Sequence, residues 1–110
     1  MKSLDQIIKQ LCDGTLREDA TVEMKRMLGN NDVLAKVLVG LANSGGGHLI
    51  VGVEDFSGAV GLMQDTDEIR RIIDSVCKNY SINIKTTLST VNLNGTDVII
   101  VEIIPLNIVT

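Results

Sequence analysis

Apolar residues recur at Leu4, Ile7, Ile8 and Leu11, the spacing of one helix face, behind Ser3 and ahead of Gly14. This predicts a first helix over 3–12, capped by Ser3 and ended by Gly14. Thr21-Val-Glu-Met-Lys25 alternates instead, which predicts a short strand over 21–25 with Val22 and Met24 on one side. Gly29-Asn30-Asn31 reads as a loop, and Asp32 is placed to cap a second helix that runs to about Asn43. That helix is apolar nearly all round, which predicts a central, buried position. Gly40 inside it costs about 1 kcal/mol relative to Ala, and a close approach to a neighbouring backbone is the expected compensation.

Ser44 and the glycines 45–47 stop the helix, and a strand is expected over 48–54, followed by a turn from Asp55 to Gly58. A third helix over 66–79 has Asp65 as its cap, Glu68 at the reciprocal capping position and Ile69, Ile72, Ile73 and Val76 as its stripe. Extended runs at 82–93 and 96–104 are joined by Asn94-Gly95, a strong hairpin signal. The second run is apolar on both faces, which predicts a covered interior strand ended by Pro105. The order α-β-α-β-α-β-β predicts an α/β (α+β) layered domain, a mixed sheet with packed helices that ends in a β-hairpin. At 110 residues the chain is one domain, 1–110.

Composition narrows the function. Apolar residues make up 45% and charged residues 22%, which excludes intrinsic disorder. Phe56 and Tyr80 are the whole aromatic complement, so no aromatic platform for stacking bases can be built. The net charge of −4 argues against a general electrostatic nucleic-acid binder. The acidic excess lies entirely in 41–110, however, and residues 1–40 are balanced at six basic and six acidic, which leaves room for a local positive face. Cys12 and Cys77 stand alone with one His, so metal ribbons and redox dithiols are not indicated, and two reduced cytoplasmic thiols are the plain reading. The N-terminus is not a signal peptide, and no apolar run is long enough for a membrane span.

Few residues carry candidate chemistry. The Gly45–Gly47 run lies between a helix and a strand, the reverse of a phosphate-binding loop, so it reads as a helix stop rather than a nucleotide cradle. Glu18 precedes the first predicted strand, Glu23 lies within it, and Asp55 follows the next strand. Were those strands neighbours, the carboxylates could converge and hold Mg²⁺ or Mn²⁺, which prefer oxygen ligands. The alternative is that Asp55 serves its turn and Glu23 pairs with Lys25. Lys25, Arg26 and Lys36 are the candidate phosphate contacts, with ordinary solvated surface as the alternative. Asp67–Arg71 and Asp74–Lys78 are spaced as helical ion pairs. His48 reads as a surface or boundary residue, and the hairpin tip carries no cation.

Four ordered motifs carry a family resemblance: Glu18-Asp-Ala-Thr-Val-Glu23-Met-Lys25, Leu41-Ala-Asn43-Ser-Gly45-Gly46-Gly47, Val51-Gly52-Val53-Glu54-Asp55 and Val60-Gly61-Leu62. Together they resemble the AlbA_2, or Schlafen AlbA-like, domain over residues 18–106. The resemblance implies a nucleic-acid-related module, of a kind commonly placed at the N-terminus of transcriptional regulators. In Schlafen proteins related lobes bind and cleave structured RNA, and the resemblance puts their acidic triad on Glu18, Glu23 and Asp55. The leading expectation is therefore a non-enzymatic regulatory module, part of a longer regulator. It would bind DNA or RNA through Lys25, Arg26 and Lys36, act as a homo-oligomer and have no membrane role. The alternatives are a divalent-metal-dependent ribonuclease and a non-catalytic oligomerisation or ligand-sensing module.

Overall fold

The structure, a computed structural model, describes residues 1–54, 58–59, 61–62 and 64–106. Its elements are α1 (Leu4–Asp13), β1 (Val22–Lys25), α2 (Asn31–Asn43), β2 (Gly47–Val51), β3 (Val53–Glu54), β4 (Gly58–Ala59), α3 (Thr66–Asn79), β5 (Ile84–Leu93) and β6 (Thr96–Pro105). Four strands form one mixed sheet in the order β1-β2-β6-β5. β1 and β2 are parallel, and parallel neighbours need a crossover, which α2 supplies. β6 lies between β2 and β5 and is antiparallel to both, so the expectation of an interior last strand holds.

Alternation along these strands divides the core in two. Leu49, Val51, Ile99, Val101 and Ile103 point to one face, where they pack with Leu34, Leu38, Ile69 and Ile73 of α2 and α3. Ile50, Val98, Ile100, Val22 and Met24 point to the other face and pack with Ile7 of α1. The domain is thus a sheet with two helices on one side and one on the other, a mixed α+β architecture as expected.

The caps set both outer helices. Ser3 accepts the Gln6 N–H, and the Gln6 side chain bonds back to the Ser3 N–H, while Gly14 closes α1 in the left-handed conformation. Asp65 accepts the Glu68 N–H at 2.7 Å, without the reciprocal bond expected from Glu68. At the hairpin, Asn94 (φ 53°) and Gly95 (φ 89°) both take positive φ, as a tight I′ turn requires.

Several expectations are corrected. The cap of α2 is Asn30, not Asp32, because the Asn30 side chain accepts from both Asp32 N (2.8 Å) and Val33 N (3.1 Å). α2 is not buried all round. It lies on one sheet face, leaving Val33 and Val39 at 48% and 42% exposed. A Cβ at Gly40 would meet nothing within 4 Å, so no neighbouring backbone accounts for that glycine. The strand expected over 48–54 is two, interrupted at Gly52, whose N–H closes the β1–β2 ladder on Lys25 O at 2.8 Å. Its second part pairs with β4 in a small ribbon. The turn expected from Asp55 falls largely outside the described residues. Neither Asp67–Arg71 nor Asp74–Lys78 forms an ion pair; each of the four side chains is solvated, and such pairs gain little in water. No described helix is long and apolar enough to cross a membrane.

Candidate functional site

β1 is a sheet edge, and its residues alternate between two jobs. Thr21 and Lys25 turn their carbonyls to β2, where they accept His48 N and Gly52 N, both at 2.8 Å. The backbone groups of Val22 and Met24 therefore face outward. Preceding chain folds back to meet them. Asp19 and Val22 exchange backbone hydrogen bonds, and Glu18 Oε2 accepts the Met24 N–H at 3.2 Å. Glu18 thus has a structural task, covering a donor that the edge would otherwise leave unpaired.

That fold-back brings two of the expected carboxylates together. Burial pushes the Glu18 carboxyl above its usual range; the Met24 N–H opposes this, while the neighbouring Glu23 carboxyl raises it further. Glu23 also pairs with Lys25 at 3.3 Å across the same strand face, which realises the simpler reading of that residue. Both side chains lie on the α2 side of the sheet. A groove of about 370 Å³ runs between Glu23 and α2, with Asp19 and Glu23 on one rim and Lys36, Gly40 and Ser44 on the other. Lys36 and Gly40 also line a second groove of about 590 Å³ with Asp32 and Tyr80. The Tyr80 hydroxyl donates to Asp32, which ties the C-terminal end of α3 to the first turn of α2.

The third carboxylate, Asp55, lies outside the described residues. Its neighbour Glu54 pairs with Arg26 at 3.1 Å, so Arg26, like Lys25, is already matched to an acid. Lys36 makes no ion pair among the described residues. Among those residues no three metal-ligating side chains come together. Glu18 and Glu23 supply two oxygen donors, one shared with a backbone amide and one with an ammonium, and such a set does not by itself make a cation site.

His48 is not the boundary residue expected. It is fully buried on the α1 face, and both ring nitrogens lack a hydrogen-bond partner; Glu102 Oε2 stands 3.7 Å from Nε2. Alternation held the signal, because His48 must share a face with Ile50, two residues on.

Solved structures share this architecture. The N-terminal domain of a RecG-related protein from Nitrosomonas europaea, whose description relates it to an ATP-dependent DNA helicase, superposes with a TM-score of 0.64 at 22% identity, covering 98% of this chain and 76% of that one. The DIP2311 protein of Corynebacterium diphtheriae superposes with a TM-score of 0.64 at 21% identity over 93% of this chain. The match spans only 22% of the Corynebacterium chain. No curated protein matches. The family model described as Schlafen, AlbA_2 matches residues 18–109, beginning at the first carboxylate of the β1 pair, and the chain belongs to that family.

Proposed function

We propose that this domain is a nucleic-acid-binding regulatory module that meets the phosphate backbone along the seam between β1 and α2. Family membership and the DNA-helicase description of one structural neighbour support the nucleic-acid class. The observation that carries the seam is Lys36, a cation without an internal acid among the described residues, lining both grooves beside α2. Lys25 and Arg26 add to it. Their pairs with Glu23 and Glu54 are partly exposed, and exposed pairs are worth about 0–1 kcal/mol, so a phosphate can displace the carboxylate. The module belongs to a longer cytoplasmic regulator in this reading.

Titration of labelled duplex DNA and structured RNA across salt tests it. Three phosphate contacts on duplex predict a slope of log affinity against log salt of about −2.7. The triple variant Lys25→Gln, Arg26→Gln, Lys36→Gln should abolish most of that slope. Salt-independent binding, or a slope the variant leaves intact, would remove this surface from consideration.

A second reading, divalent-metal-dependent RNA cleavage, draws on the neighbouring carboxyls of Glu18 and Glu23. Incubation with tRNA and Mn²⁺ tests it. Cleavage should vanish in Glu23→Gln, and equal cleavage by that variant would exclude a role for the pair.

A further inference from the structure

β5 is the longest free strand edge among the described residues. Its ten residues pair with β6 without interruption, from Ile84↔Pro105 to Leu93↔Thr96, and no described residue pairs with its other side. Edge strands are normally protected by proline, a bulge, repeated charge or a covering segment. β5 has no proline and no bulge, and Lys85 is its one charge. The core is also left half-covered along this strand. Ile82, Ile84 and Leu88, with Ile72 and Cys77 of α3, pack against the buried cluster while remaining partly exposed.

The opposite edge is different. β1 offers four residues, carries Glu23 and Lys25, and has its outward groups met by Asp19 and Glu18. It cannot serve as the complement of β5, and among the described edges only a second β5 matches its length. That makes the contact isologous and closed, not a growing filament.

We infer that β5 is a homodimer interface, occupied by β5 of a second copy of this chain in antiparallel pairing. The hairpin fixes which backbone groups are available. Leu93 and Thr96 flank a two-residue turn and form a hydrogen-bonded pair, so alternation turns the N–H and C=O of Ile84, Thr86, Leu88, Thr90 and Asn92 outward. Residues that face each other across an antiparallel pair share a sheet face. The register that uses this whole outward set therefore sets Leu88 against its own copy on the two-fold axis, Thr86 opposite Thr90, and Ile84 opposite Asn92. About ten hydrogen bonds join the copies in this register. The two Lys85 side chains fall at opposite ends, so the edge's only charge does not oppose itself. Both β1–α2 seams lie at the far edges of the joined sheet and stay open, so the dimer stands whether or not the seam binds nucleic acid.

Sedimentation equilibrium of the chain tests this, alongside amide exchange. The expected result is a dimer whose outward amides, Thr86, Leu88 and Thr90, are protected at high concentration and lose protection on dilution. The double variant Thr86→Lys, Thr90→Lys places like charges directly opposite and should raise the dissociation constant about tenfold or more. Thr86→Pro removes one outward donor per copy without touching the β5–β6 ladder, and should also weaken the dimer. A wild-type chain still monomeric at about 100 μM overturns the proposal. So do a dimer unaffected by folded variants, and outward amides that exchange freely in a wild-type dimer. The exchange readout decides the matter even where a variant fails to fold.

Discussion

Gly47→Ala is expected to destabilise the domain by about 3 kcal/mol, with a matching fall in the urea midpoint. Its backbone is not in the left-handed region, so the cost is purely steric. A Cβ there would clash with Thr21 O and stand 2.9 Å from Leu41 Cδ2. The leucine tip can turn aside; the carbonyl cannot, because it accepts His48 N at 2.8 Å in the first contact of the β1–β2 ladder. The strand carrying Glu23 and Lys25 would have to move away from β2, so the site should be lost with the stability. Gly40→Ala is the control and has the opposite sign. Nothing lies within 4 Å of a Cβ at that position, and a helical Gly→Ala replacement there should gain about 0.5–1 kcal/mol. Equal effects from the two substitutions would mean that close approach of backbones is not what Gly47 provides.

Those two glycines mark how far the pattern of the chain leads. Both α1 and α3 are legible because a capping residue sits one position ahead of an amphipathic stripe, and the hairpin is legible because Asn94-Gly95 permits little else. At α2 three capping types follow one another, Asn30, Asn31 and Asp32, and only backbone geometry chooses Asn30. The role of Gly47 depends on three elements meeting, which no local pattern encodes. The site divides in the same way. Motif order singles out Glu18 and Glu23, and the structure brings them together. That Glu18 also holds the Met24 N–H follows only from the chain folding back along an edge. The glycines ahead of His48 suggest a loop margin, whereas the two-residue period of the strand buries it.

Below about pH 6.5 the domain is expected to lose stability through His48, well before its carboxylates are all protonated. Burial holds the imidazole below its usual range; Glu102 pulls the other way, and the Met1 amino group and Lys2 add to the depression. The folded protein therefore favours the neutral ring. Above pH 6.5 both folded and unfolded chains carry it neutral, and the contribution is complete. As pH falls past that value the unfolded chain takes up the proton first, and stability drains until the folded-state value is passed. The urea midpoint should be level from pH 8 to pH 7 and slope downward below about 6.5. His48→Leu should remove that portion of the slope. It should also raise stability at pH 7 by about 1–2 kcal/mol, since it withdraws ring nitrogens that have no hydrogen-bond partner from the core. Glu102→Gln should deepen the acid sensitivity, because the one neighbour favouring the imidazolium is gone. His48 is the sole histidine, so its ring resonance can be followed without assignment ambiguity. A folded-state titration above the ordinary histidine value would reverse the His48 part of the pH slope, and would mean that Glu102 closes on the ring as a true ion pair beneath α1.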